Sequence, residues 1–157
     1  MGFETGNSGN KLLRTVTKIG EGCQQEGSFC QYLGEKICPK VYSIIPNGYT
    51  MEYALIPDPN TAALICIEEM LEEHIWSRPA LPSSNDIDWR NCQKEFGVTV
   101  PDWAIPEYFC LAHGDPTVSN LLIRDSDRYE YILGDPRPPR NYIPQCRETD
   151  LGRILQS

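Results

Sequence analysis

His113-Gly114-Asp115-Pro116-Thr117-Val118-Ser119-Asn120 leads into Leu121–Arg124, the polar turn Asp125-Ser126-Asp127-Arg128, Tyr129–Leu133 and Gly134-Asp135-Pro136. Two short apolar runs around a polar turn predict a β-hairpin. Antiparallel pairing brings the outer ends of such strands together. Asn120, just before the first strand, and Asp135, just after the second, are therefore expected at one edge. Asp115 lies upstream in a tight loop between Gly114 and Pro116. Two carboxylates and an amide oxygen gathered in a loop pocket suit a hard cation. Mg²⁺ takes a few such oxygens and completes its octahedron with water and phosphate.

Outward from this stretch, Phe109–Ala112 is a short apolar run entering the loop, and a proline-rich segment, 136–144, leads to a helix start at Thr149-Asp150-Leu151-Gly152-Arg153-Ile154-Leu155. Residues 79–106 carry prolines and little periodicity and read as loop. Thr61 to Trp76 reads as a helix with Leu64, Ile67, Leu71 and Ile75 toward a core and Glu68, Glu69, Glu72 and Glu73 toward solvent. Pro57-Asp58-Pro59-Asn60 breaks the pattern before it. Nearer the start, Thr5-Gly6-Asn7-Ser8-Gly9-Asn10 is turn-rich and Leu12 to Ile19 is strand-like. An amphipathic helix follows at about Cys23 to Leu33, with Phe29, Cys30 and Leu33 sharing a face with Glu26, and Gly34 placed to cap it. Strands are expected at Lys40–Ile45 and Tyr49–Ala54 around the turn Pro46-Asn47-Gly48.

The 157 residues, 40% apolar and 23% charged, suffice for one domain or two small lobes. Twenty-two acids against 14 bases give a net charge of -8, which argues against a nucleic-acid partner, since phosphate binding needs clustered Lys and Arg. The same balance favours cationic substrates. Seven cysteines stand singly, at 23, 30, 38, 66, 92, 110 and 146, with no C-x-x-C pair. They read as small core hydrophobes rather than as a zinc site or disulfide framework. With no signal peptide and no apolar run of membrane length, the expectation is a cytoplasmic protein without a membrane partner.

The loop His113-Gly114-Asp115-Pro116-Thr117-Val118-Ser119-Asn120 resembles the H-G-D-x-x-x-x-N catalytic loop of aminoglycoside phosphotransferase and choline kinase relatives, the counterpart of the protein-kinase H-R-D-x-x-x-x-N loop. Gly134-Asp135-Pro136 falls where that family has its second metal-binding Asp. The resemblance implies an α+β, protein-kinase-like two-lobe fold: a β-rich N-lobe over 1–56 and a reduced, mostly helical C-lobe over 57–157. It implies ATP and Mg²⁺ as cofactors, Asp115 as catalytic base, and Asn120 and Asp135 as metal ligands. Lys18 and Glu26 are similar to the family's phosphate-contacting Lys and its helix partner, with Lys11 the alternative contact. Gly6-Asn7-Ser8-Gly9 would cover the phosphates, so Ser8 and Gly9 join the nucleotide site. Tyr49-Thr50-Met51-Glu52-Tyr53 resembles the hinge strand, where the backbone of Glu52, Tyr53 and Ala54 would hold adenine. Asp150 looks like the Asp that braces the catalytic loop.

Three function classes follow. The first is an ATP-dependent phosphotransferase acting on a small-molecule hydroxyl. The second is a minimal protein kinase, with H-G-D and G-D-P in place of the usual H-R-D and D-F-G. The third is a non-catalytic nucleotide- or protein-binding module. Family members continue with helices that shape the acceptor pocket. Beside that pattern the chain reads either as a minimal kinase or as one whose short C-lobe is completed by a homo-oligomer, a partner chain or a missing segment.

Overall fold

The computed structural model describes residues 2–7, as backbone, and 14–58, 62–82, 97, 101–104, 106–140 and 144–157. Among these described residues, two antiparallel sheets and three α-helices make a mixed α+β structure. Strands β1 (Gly2–Asn7), β2 (Arg14–Ile19), β3 (Val41–Ile45) and β4 (Gly48–Glu52) form a four-stranded sheet in the order β1-β2-β4-β3. Between β2 and β3 the chain makes helix α1 (Cys23–Leu33). Gly20 and Gly22 turn it there with positive φ, and the Cys23 N–H closes onto the Gly20 carbonyl at 3.1 Å. At the far end Gly34, φ 98°, donates its N–H to Cys30 and stops the helix, as the sequence predicts.

The second sheet pairs β5 (Ala54–Leu55) with β6 (Leu121–Arg124) and β6 with β7 (Tyr131–Leu133). The expected hairpin is present, with Leu121 opposite Leu133 and Ile123 opposite Tyr131. Helices α2 (Ala62–His74) and α3 (Arg147–Leu155) flank it. One apolar core joins the two halves: Phe29 and Leu33 of α1, Ile67 and Leu71 of α2, Leu121 and Leu133 of the hairpin, and Ile154 of α3. Among the described residues no helix is long and apolar enough to cross a membrane.

Several expectations change. Thr5, Gly6 and Asn7 belong to β1, paired with Val16, Thr15 and Arg14, rather than to a turn. Leu64 is exposed because α2 buries the stripe Ala63–Ile67–Leu71, one helical step away. The second hairpin strand begins at Tyr131; Tyr129 stands in solvent. Ala54 and Leu55 pair with the second sheet, upstream of the Pro57 break. Among the described residues of the second half, α2 and α3 stand beside the short strands β6 and β7. Pro116, Pro136, Pro138, Pro139 and Pro144 remove donors and fix φ, which keeps their segments irregular.

Helix α1 rests against β4 through a missing side chain. A Cβ at Gly27 would lie 2.6 Å from both Cβ and Cγ of the fully buried Tyr49. In an open helix Gly→Ala gains about 1 kcal/mol, whereas forcing atoms into a packed site costs about 1–3 kcal/mol. With a 2.6 Å overlap on a fully buried ring the packing cost outweighs the gain, so Gly27→Ala is expected to destabilise the protein by up to about 2 kcal/mol. A urea midpoint that instead rose would show that the helix has room above Tyr49.

Candidate active site

Residues 16 and 18 of a strand share a face. On β2 this pair is Val16, which lines a cavity, and Lys18, whose side chain is only 1% exposed. A buried ammonium needs partners, and Glu26 and Asp135 are among those of Lys18. Its Nζ donates to Glu26 Oε1 at 2.9 Å, with Oε2 at 2.7 Å, and to Asp135 Oδ1 at 2.7 Å. The interval from Lys18 to Glu26 is eight residues; the Gly20–Gly22 turn makes it long enough. Tyr49, directly across the sheet from Lys18, donates its hydroxyl to Glu26 Oε2 at 2.9 Å. Burial pulls the Lys18 pKa down, but the bonds to Asp135 and Glu26 outweigh it, and the net shift is upward. The ammonium stays charged.

The loop from His113 to Asn120 is held from below by Asp150 of α3. This wholly buried carboxylate accepts the His113 N–H and the Gly114 N–H, each at 2.9 Å, and the Trp76 indole N–H at 3.0 Å. Gly114 has φ 92°, and a Cβ there would lie 2.5 Å from the Arg137 carbonyl oxygen, so the loop needs glycine. Burial pushes the His113 pKa down to about 4. The ring is neutral, and its Nδ1 accepts the Asp115 N–H at 3.2 Å. His113 is a structural prop for the loop. The sequence resemblance assigned the brace to Asp150, and the hydrogen bonds are of that kind.

Asn120 ends a single 3₁₀ turn (Val118–Asn120) and donates its amide Nδ2 to the Asp115 carbonyl at 2.8 Å and to Asp115 Oδ2 at 3.3 Å. The Gly134 N–H donates to the Asn120 carbonyl at 2.8 Å, which joins the two ends of the hairpin and sets Asp135 beside Asn120 in the chain path. Asp135 has φ 48°, a left-handed turn that Asp tolerates better than most residues. Asp115 is not free. Arg153 of α3 donates Nε to Oδ1 at 3.0 Å and adds Nη2 to the same oxygen, while Arg137 Nε lies 3.5 Å from Oδ2.

A cavity of about 330 Å³ opens between the sheets, lined by Val16, Met51, Leu122 and the backbone run Glu52–Ala54, with Asn120 and Asp135 among its walls. Of the three residues expected to hold a base through their backbone, two have committed N–H groups. Glu52 donates to the Lys40 carbonyl at 2.9 Å and Tyr53 to the Arg14 carbonyl at 3.1 Å. The Glu52 side chain is also engaged, by Arg124 and the Lys40 N–H. Ala54 lies at the point where the chain passes to the second sheet, opposite Arg124. Ser8, Gly9 and Lys11 lie outside the described residues.

Among the described residues no three His, Cys, Asp or Glu side chains converge to hold a metal alone. The donor set is instead one carboxylate, Asp135, and one amide oxygen, Asn120, on the wall of one cavity. That sparse oxygen set fits Mg²⁺, which relies on water and phosphate for its remaining ligands. Two contributors escaped the sequence reading. Arg153 follows Asp150 by three residues, so one helix face carries both toward the loop. Tyr49 could have been found as the cross-strand neighbour of Lys18.

The two buried ionisable groups under the loop titrate with opposite effect. Burial pushes Asp150 up from 3.8 to about 6 despite its three N–H donors. Its contribution to stability is full below the unfolded value and is lost as pH rises through 6. His113, lowered from 6.5 to about 4, contributes fully above its unfolded value and loses that as pH falls through 4. Asp150→Asn removes the first effect only. Urea unfolding of both proteins between about pH 4 and 6 should show the stability difference moving in the variant's favour, by up to about 1.4 kcal/mol per pH unit. A constant difference would mean that Asp150 does not titrate there.

Comparison of the chain with family models, with curated proteins and with solved structures returned no match.

Proposed function

We propose that the protein is a phosphotransferase of the protein-kinase-like two-lobe class, moving the γ-phosphoryl group of ATP to a hydroxyl of a small molecule. The observation that carries the reading is the buried Lys18 ammonium between Glu26 and Asp135, at the edge of a cavity walled by Asn120 and Asp135. Phosphoryl transfer asks a protein for in-line positioning and charge neutralisation rather than covalent chemistry. Lys18 supplies fixed positive charge for the α- and β-phosphates, and Glu26 and Tyr49 hold it in place. Val16, Met51 and Leu122 offer apolar walls for a base. Asp135 and Asn120 would hold Mg²⁺, which supplies neutralisation of phosphate charge. Asp115 orients the acceptor hydroxyl and takes its proton. A cytoplasmic setting, with ATP at hand, goes with this assignment.

A second reading, a nucleotide-binding module that transfers nothing, draws on one observation. Asp115 is engaged by Arg153 and Arg137, so its oxygens do not face an empty cleft.

Two variants separate the readings. ATP with Mg²⁺ should raise the melting temperature of the wild type, and Lys18→Met should abolish that rise. Asp115→Asn should keep the rise while lowering acceptor-dependent ADP release by about 10²–10⁴-fold. Turnover of Asp115→Asn at the wild-type rate would reject Asp115 as the base. Failure of the wild type to respond to ATP with Mg²⁺ would reject both readings.

A further inference from the structure

The two guanidinium groups on Asp115 bear on what the acceptor is. The chain as a whole carries a net charge of -8, yet around this carboxylate the charge is reversed. Arg153 approaches Oδ1 through Nε and Nη2, and Arg137 approaches Oδ2 at 3.5 Å. Two cations face one anion. The other nearby carboxylates are occupied: Asp150 is buried under three N–H donors, and Asp135 is paired with Lys18. Arg137 is half exposed, and Arg153 partly so. Guanidinium is the side chain best matched to planar or tetrahedral oxyanions, which it binds through two parallel N–H bonds. A cationic hydroxyl compound would meet like charge here, a repulsion that desolvation strengthens.

Resting on the phosphotransferase reading, we propose that the acceptor is an anionic hydroxyl compound, carrying a carboxylate or phosphate that Arg153 and Arg137 bind. The anion draws Arg153 from Asp115 Oδ1, and that exchange frees the base only when a matching acceptor is present. The acceptor hydroxyl then gives its proton to Asp115. Its oxygen bonds to the γ-phosphorus while the bond from that phosphorus to the bridging oxygen breaks, the electron pair leaving with ADP. Charge count and arginine placement thus override the preference for cations that bulk composition implies.

The test uses one carbon scaffold with its charge changed. Glycerol, glycerol 3-phosphate and glycerate, with choline as the cationic probe, are titrated into the full chain saturated with ADP and Mg²⁺, by calorimetry. Turnover is then followed with ATP. Glycerol 3-phosphate or glycerate should bind at least tenfold more tightly than glycerol and choline, and which of the two binds better identifies the oxyanion. Arg153→Gln and Arg137→Gln should each raise the KM for the anionic probe about tenfold or more while leaving the KM for ATP unchanged. Arg153→Lys should restore part of the loss. If choline or glycerol binds as tightly as the anionic probes, if no anionic probe binds, or if both Gln variants keep the wild-type KM, the inference falls. The thermal response to ATP with Mg²⁺ in the same samples separates the outcomes: retained, the phosphotransferase reading survives that failure; absent, both fall together.

Discussion

A positive charge on the inward face of the four-stranded sheet sets the terms for everything around it. Lys18 cannot be buried unless carboxylates come to it, and they come from two directions, α1 and the loop after β7. The ammonium therefore acts as a three-way joint between sheet, helix and hairpin. Such a joint does not add much net stability, because desolvating the charges offsets their attraction. Its effect is on specificity. Removing both carboxylates would leave the buried ammonium uncompensated, a loss of about 3–5 kcal/mol, so the arrangement with Lys18 between them is preferred.

A second joint works at the other end of the site. Asp150 ties α3 and Trp76 to the backbone of His113 and Gly114, and through them to Asp115. Between the joints runs the apolar core, with Leu121 and Leu133 of the hairpin packed beside Leu33 and Ile67. Asn120 and Asp135 are thus at the ends of a ribbon whose middle is fixed by packing, and their acid and amide groups inherit that rigidity. Loop residues are positioned here by elements far from them in sequence, which is how a proline-rich segment with little regular structure holds a defined geometry.

What could be read from the sequence was local. The hairpin, the Cys23–Leu33 helix and the Gly34 cap depend on neighbouring residues, and polar turns and glycines announce them. Lys18 and Glu26 were paired in the sequence only through the family resemblance; the turn through Gly20 and Gly22 that lets eight residues close the contact was not read there. The fate of Glu52 was not legible: its engagement by Arg124 spans two sheets, and no short-range pattern records such a partner. The same is true of Arg153 on Asp115, although its spacing from Asp150 carried a usable hint. Leu64 misled because an apolar residue beside the buried stripe looks, by period alone, like part of it. The proline-rich segments were expected as loop, but how they fold back on the site depends on contacts such as the Arg137 N–H with the His113 carbonyl.

The indole of Trp76 has a further consequence. It donates to the same oxygen that receives the His113 N–H, and the Arg147 guanidinium stacks 5.0 Å from its ring. The loop is thus wired to a native fluorophore. With Trp89 and Trp103 replaced by phenylalanine, the emission of Trp76 alone would follow the proton on Asp150, and with it the tension of the loop, without any label attached.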